Sequence, residues 1–545
     1  MTLFQGYLTA KEEFLFPDSP CDPLPDSLRL VMAKNGMPGF QLMIRTNDEQ
    51  VRFSLESPDF LPEWYEMKEI PVEYNTGDGV EQGGAMVLEK PPLEKPSYAC
   101  HLAPFYVYDC LLQKPDGQIT PKNGTAAAYI CLRPSHPLKK NTYLAHLRVN
   151  MKEGTYQCTL IIQVYDVEIP MDQYPVTNWF SEDAICRFHH LQKGTKAYFS
   201  MVQKYIRAMR RIHQNIFFIQ LDDRCVKKRT PYIFDFEYLT PLIELFFQEG
   251  MQYMELGTLL SRGFLPGGAP DMYTDRFTCS MAPEIPVDTL EGYSITVSFV
   301  KSLASYLSKH GWEQKVLFHI HDEPDIHYRD AAALESRKKQ YYLAASILRK
   351  YLPGVKIIEA VDSAEFRGAI DIWVPGTAGY ERKKEEFDQL TALGETVWNY
   401  VCCGPEGQWL NRFLDFHLLK GRLLFWGFSK NRIQGFLHWG FNQFPENMNP
   451  FEGTSCPNNT GIGTSFPCGD SFLVYPGENG PELGMRMEAQ RRGAEDAALF
   501  QLLLNKNPKL HHQLLNKIFT NNYTYRNDPA LLESLYETLL SSLEC

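Results

Sequence analysis

The sequence predicts a multidomain β plus α/β fold: an N-terminal β-sandwich over 1–172, a (β/α)8 TIM-type barrel over 173–505, and a C-terminal helical extension over 506–545. Three observations predict it. The chain has 545 residues, more than the roughly 250–300 that one core usually serves. Its first third consists of short β-branched or aromatic runs with turn residues between them, and this texture ends at "EIPMDQYP" (168–175). Beyond it, short apolar runs alternate with long amphipathic stretches over about 270 residues, and there are eight such runs, the count and length of a (β/α)8 unit.

In the first domain "VRFSLES", "AAAYICLRP", "TYLAHLRVNM" and "TYQCTLIIQVYDVEIP" read as strands, with "NTGDGVEQGG", "KPDGQ" and "KNGT" as turns, the pattern of a sandwich. The barrel strands are expected at 176–180, 216–221, 253–260, 316–321, 356–361, 370–376, 395–403 and 435–442. Between them lie helical stretches such as "KAYFSMVQKYIRAMRRIHQN" and "AAALESRKKQYYLAASILRKYLP", whose apolar residues recur with helical period. An insertion at 262–285 follows the third strand, and a Gly/Pro/Asn-rich loop at 443–482 follows the eighth. Both lie beyond C-terminal strand ends, the side on which barrels carry their active sites.

Composition narrows the function classes. A net charge of −12 without any Lys/Arg-dense segment disfavours a nucleic-acid partner, which needs a basic stripe. No run reaches the ~20 apolar residues that cross a bilayer, and "MTLFQGYLTAKEEFLFPDSP" has no basic-then-apolar leader pattern. The expected location is cytoplasmic, or extracellular if a leader precedes this sequence. The 13 cysteines are an odd number, scattered and without a CxxC, which suits a reducing compartment better than a disulfide frame. Cys402 and Cys403 are vicinal, and Cys456 and Cys468 share one Gly-rich loop. Aromatic residues make up 13% of the chain, which suits large cores and sugar-binding clefts alike. There is no phosphate-cradling Gly-rich loop, no Ser nucleophile elbow and no dinucleotide fingerprint.

The chemistry-bearing stretch is "VLFHIHDEPD" (316–325). A buried strand runs into two adjacent acids, Asp322 and Glu323, and burying carboxylates costs several kcal/mol unless they are paired or hydrogen-bonded. A helix-capping Asp beside an ion-paired Glu would leave the same trace, but at the end of a fourth barrel strand side chains point into the active-site mouth. Two glycosidase schemes use such a pair. In one, a glutamic acid protonates the leaving oxygen and a second carboxylate about 5 Å away attacks the sugar. That scheme wants a Glu ending the seventh strand, and "WNYVCCGPEG" offers only Glu406, six residues past Tyr400. In the other, the substrate's 2-acetamido oxygen is the nucleophile, Glu323 is the general acid/base, and Asp322 orients the amide and steadies the positive oxazoline. Like charges so close also raise one of the two pKa values, which helps Glu323 hold its proton.

Further polar and aromatic residues collect at the expected rim: Trp179, Asp222, Glu255, Asp362, Trp398, Asn399, Tyr400, His438, Trp439 and Asn442. The candidate substrate-binding set is Trp179, His321, Trp398, Tyr400, His438, Trp439 and Asn442, because indole faces pack on sugar rings while Asn and His read hydroxyls. His319 and His321 form an H-x-H of a zinc-binding kind, with His189 and His190 elsewhere. Metal hydrolases on this fold also place His at the fifth and sixth strands, and "EAVDS" and "VPGTAGY" have none. No metal and no cofactor is therefore expected.

"HIHDEP", "GFLHWGFNQF", "FLVYPG" and "MRMEAQRRGAEDAALFQLL" after a β-rich first domain resemble glycoside hydrolase family 123. The likeness covers nearly the whole chain and is strongest from about 300 to 505. It implies a retaining exo-β-N-acetylgalactosaminidase using the substrate-assisted scheme, with Asp322 matching the oxazoline-stabilising Asp and Glu323 the acid/base. It also implies a tyrosine on the acetamido carbonyl, for which Tyr400 is the candidate. Arg486, Glu488, Arg491, Glu495 and Asp496 match the family's charged helix, and their i, i+3 and i+4 spacing makes them structural. The expected substrate is an oligosaccharide or glycoconjugate ending in β-linked N-acetylhexosamine, N-acetylgalactosamine first. The alternatives are a retaining glycosidase with its own nucleophile, acting on sugars without the acetamido group, and a non-catalytic glycan-binding protein. The sandwich is expected to brace the barrel and border its cleft.

Overall fold

The structure is a computed structural model that describes residues 4–79, 85–266, 268–458 and 465–544. Part of the "NTGDGVEQGG" turn (80–84) and of the loop after the eighth strand (459–464) thus lie outside the described residues. The N-terminal domain is two packed sheets, one of eight strands, all antiparallel, and one of five. Strand Gly154–Tyr165 shows why they pack: Tyr156, Cys158, Leu160, Ile162 and Val164 are buried in alternation with more exposed, mostly polar neighbours. A strand places successive side chains on opposite faces, so this alternation gives it one apolar face. That face meets Leu42, Ile44, Ala128 and Ile130 of the larger sheet.

The larger sheet does not end with the N-terminal segment. Strands Tyr475–Gly477 and Gly480–Gly484 join its edge, with Leu483 opposite Leu111 and Gly484 opposite Cys110. The sandwich is thus completed by residues from beyond the α/β region, which a boundary at 172 does not foresee.

Eight parallel strands follow, at the expected places: Val176–Asn178, Ile216–Gln220, Tyr253–Gly257, Val316–Phe318, Lys356–Val361, Ile372–Pro375, a seventh in two pieces (Thr396–Val397 and Asn399–Tyr400), and Phe436–His438. The second to seventh strands form one ladder, and the seventh, eighth and first form another. The seventh strand changes partner at its break, pairing through Thr396 with Ile372 and through Asn399 with Phe436. Between the first and second strands there is no ladder among the described residues. Asn215 bridges them instead, its side-chain oxygen accepting from Val176 N at 3.0 Å and its N–H donating to Val176 O at 3.3 Å.

A helix follows every strand except the fifth, whose connection to the sixth (362–371) is turns alone. The amphipathic stretches form helices with side-chain or glycine caps. Leu290–His310 starts behind Thr289, whose side chain accepts from Gly292 N, and stops at Gly311 in the left-handed region. At the C-terminus, helices Pro508–Asn516 and Pro529–Leu543 flank a short hairpin, so the expected helical extension carries a small β element. The described cysteines are all free, and Cys456 and Cys468 are buried without a bridge. No helix among the described residues is long and apolar enough to cross a membrane.

Candidate active site

The interior shared by the eight strands is filled by Ile216, Leu317, Ile358, Ile372, Val374, Trp398 and Leu437, with Trp179 and Tyr400 packed over them. Above this layer, at the C-terminal strand ends, opens a cavity of about 560 Å³, within the 300–1,000 Å³ usual for small-ligand sites. Asp322, Glu323, Trp179, Tyr400 and Trp439 all line it, and Met86 of the N-terminal domain reaches its edge. The other carboxyls in the wall are Asp325, Asp362, Glu365 and Glu406, against two basic side chains, Arg382 and Lys383. An acid-rich wall suits a reaction in which the sugar becomes positive.

The fourth strand's regular part ends at Phe318, and the chain then turns sharply through the acids. Glu323 sits in the left-handed region at φ +53°, sparsely populated by non-glycine residues and a mark of functional sites when the surroundings hold it. Two groups hold it here. Arg262, from the insertion after the third strand, donates to the Glu323 carbonyl at 2.6 Å. The Tyr400 hydroxyl donates to Glu323 Oε1 at 2.7 Å. Arg337 secures the turn from below: buried, it donates to the carbonyls of Thr274, Met272, Pro324, Ile326 and His327 at 2.7–3.3 Å.

Burial and the neighbouring Glu323 charge push the Asp322 carboxyl up to about 7. Asp322, next to Glu323 in sequence and buried, is thus costly to ionise beside a charged neighbour.

Under the acids lies a network that the sequence reading missed. His319 is buried between Glu359, 2.9 Å from Nδ1, and Glu255 at Nε2. Burial alone would lower its pKa, but the two carboxylates outweigh that and push it up to about 10. His319 is therefore an imidazolium at neutral pH, and its charge acts to lower the Asp322 pKa. Glu255 also accepts from Trp179 Nε1 at 3.2 Å and Thr177 Oγ1 at 2.9 Å. Glu359 takes the backbone N–H groups of Ile320 and His321 at 3.1 and 3.0 Å. The charged cluster thus fixes both the Trp179 platform and the backbone leading into the acids. Gly257 makes room for it, since a Cβ there would lie 2.7 Å from the His319 side chain.

Four expected ligand residues lie outside the cavity lining, each for a geometric reason. His321 stacks on Phe277 of the insertion at 4.0 Å, because strand alternation lapses after Phe318. Trp398 is on the interior side but one layer too deep, its ring against Gly435. On the eighth strand Leu437 and Trp439 line the cavity. His438 between them turns the other way, accepting from Gly440 N at 2.8 Å and lying 3.5 Å from Asp470. Asn442 clasps the first strand's exit, bonding Ser181 N and O at 2.8 and 3.1 Å. No cluster of three or more metal-ligating side chains occurs among the described residues. Of the residues that the sequence reading overlooked, Arg262 and Arg337 had no local signal. Glu359 did, as a charged residue inside an apolar strand, while His319 and Glu255 were noted in the sequence but not as partners.

Adjacent acids thus close the fourth of eight parallel strands at the wall of an aromatic-lined cavity. Residues 174–503 match the model described as glycoside hydrolase 123, catalytic domain, so the chain belongs to glycoside hydrolase family 123. Among solved structures, a family 123 glycoside hydrolase from Clostridium perfringens, studied for glycolipid glycan hydrolysis, superposes with a TM-score of 0.69 at 16% identity. The match covers 99% of this chain and 98% of that one. A likeness at that identity speaks for the fold alone. A family 39 glycoside hydrolase from Bacteroides cellulosilyticus WH2 aligns with a TM-score of 0.35 at 11% identity, over 87% and 82% of the two chains. No curated protein matches.

Proposed function

We propose that the protein releases terminal β-linked N-acetylhexosamine, N-acetylgalactosamine by preference, by a retaining, substrate-assisted mechanism, and that the eight strands act as a (β/α)8 barrel presenting the site. The observation that carries this reading is the adjacency of Asp322 and Glu323 in the cavity wall with Tyr400 on Glu323. Adjacent carboxyls suit a substrate whose amide and leaving oxygen sit on adjacent ring carbons. Glu323 gives its proton to the glycosidic oxygen while the acetamido oxygen attacks the anomeric carbon. Asp322 as the carboxylate holds the amide N–H and stabilises the oxazolinium. Water then opens the ring with Glu323 as base, so the configuration is retained. The glycan of a glycolipid, on which the Clostridium enzyme is described as acting, is a fitting source of such a terminus.

A second reading rests on Glu406, which is 4% exposed and lines the cavity: it would serve as an enzyme nucleophile. p-Nitrophenyl β-N-acetylgalactosaminide, β-N-acetylglucosaminide and β-galactoside separate the two. Cleavage of the acetamido sugars only, lost in Glu323→Gln and reduced by ~10²-fold or more in Asp322→Asn, is the expected outcome. Turnover of the plain galactoside, lost in Glu406→Gln, overturns it.

A further inference from the structure

The cavity wall contains one pair of groups that the hydrolysis does not use. Cys402 and Cys403 both line it, and both are partly exposed. Their sulfurs are 3.7 Å apart, well beyond the ~2.05 Å of a disulfide, so both are thiols facing one another. The loop that presents them is fixed: Cys402 N donates to Gly404 O at 2.9 Å, and the Asn411 amide donates to Cys402 O at 3.0 Å and Pro405 O at 3.2 Å. Tyr400, the residue on Glu323, is two positions upstream. Cys110, Cys131, Cys158, Cys225, Cys279, Cys456 and Cys468 are buried, and neither Cys21, Cys100 nor Cys186 lines the cavity.

We propose that Cys402 and Cys403 form a dithiol site in the substrate cavity for a soft, two-thiol-bridging group of the trivalent organoarsenical class, and that its occupation blocks hydrolysis. A structural zinc needs four donors, and no third metal-ligating side chain joins the pair among the described residues. An arsenic atom bearing one organic group has two exchangeable bonds and needs only the two sulfurs. With phenylarsine oxide, two As–S bonds form, the As–O bond breaks, and the oxygen leaves as water with the two thiol protons. Nothing is oxidised or reduced. The bridged arsenic closes a ring on neighbouring residues of a fixed loop, so little chain entropy is lost. Its organic group then takes up space in the cavity that Cys402 and Cys403 line. The proposal takes from the functional reading only that the cavity receives the sugar.

The test uses the full chain with phenylarsine oxide at one equivalent. The expected result is one phenylarsenic adduct per chain by intact mass, mapped to the 402–403 peptide. It should be released by 2,3-dimercaptopropanol, survive a monothiol, and be absent in both Cys402→Ser and Cys403→Ser. Hydrolysis by the unsubstituted chain should be lost on modification and return with the dithiol, while each variant keeps its own untreated rate. An adduct elsewhere, an adduct persisting in either variant, or a modified pair with undiminished hydrolysis would overturn it. Adduct formation needs no substrate, so a failure of the N-acetylhexosamine reading leaves the binding site decided by mass alone.

Discussion

Tyr400 and His319 show how single residues set the chemistry at the strand ends. Tyr400 sits where the seventh strand has already changed partner, which carries its hydroxyl to Glu323. A hydrogen bond to a charged group contributes about 1.5–3 kcal/mol. Tyr400→Phe is therefore expected to lower kcat by roughly 10- to 100-fold while the fold stays intact, because the ring and its packing remain. Steady-state kinetics on an acetamido substrate, beside a thermal melt, check this; an unchanged kcat would remove the bond from the mechanism. His319 lies deeper. With one face to Glu255 and the other to Glu359, it cancels charge that would otherwise be stranded among apolar strands. A sequence can announce that such a residue is costly, but which carboxylates offset it depends on strands 64 and 40 residues away.

At the scale of elements, the eight strands were legible because each is a short apolar run, most of them followed by amphipathic helices, and periodicity separates the two. The acids were legible for the same reason, as charged residues where a strand should end. Alternation failed as a guide only where regular pairing stops, so it misplaced His321, and depth along the seventh strand misplaced Trp398. The loops were the least legible part. Arg337, on helix Ala331–Tyr351, reads as one more helical cation, yet it is fully buried and ties the insertion after the third strand to the turn after the fourth through five carbonyls. Only a guanidinium presents donors in so many directions. Arg337→Lys is expected to leave several of these carbonyls unpaired, destabilise the protein by about 2–4 kcal/mol, and open the chain near Thr274 and Ile326. Limited proteolysis would show new cuts in both loops at once. Cuts in neither would mean that the loops hold themselves.

At the scale of the molecule, the helix Met485–Lys506 carries buried charges that pair with both the N-terminal sheets and the α/β region. Arg486 donates to Asp109 of the sandwich at 3.0 Å, and the same segment supplies the sandwich's last strand. Glu488 accepts from Tyr129 of the sandwich at 3.0 Å and from Arg211 of the α/β region at 2.5 Å, with Arg491 beside it. Burial opposes its charge, but Arg211 and Arg491 outweigh burial and hold the Glu488 carboxyl down to about 2, from an ordinary 4.5. The sign follows. A carboxyl whose folded pKa lies below its unfolded one contributes stability above about pH 4.5 and loses it as pH falls toward 2. The size is on the order of 3 kcal/mol, at about 1.4 kcal/mol per unit. Glu488→Gln keeps the shape and removes the charge, so at pH 7 it is expected to unfold at a lower denaturant concentration than the unsubstituted protein. The gap should narrow as both are taken from pH 4.5 toward pH 2.5, because the native glutamate is then losing what the variant never had. Paired urea titrations across that range decide it. A gap that stays constant with pH would mean that Glu488 acts through its packing, and that the two halves are held by the shared strand and the apolar contacts around it.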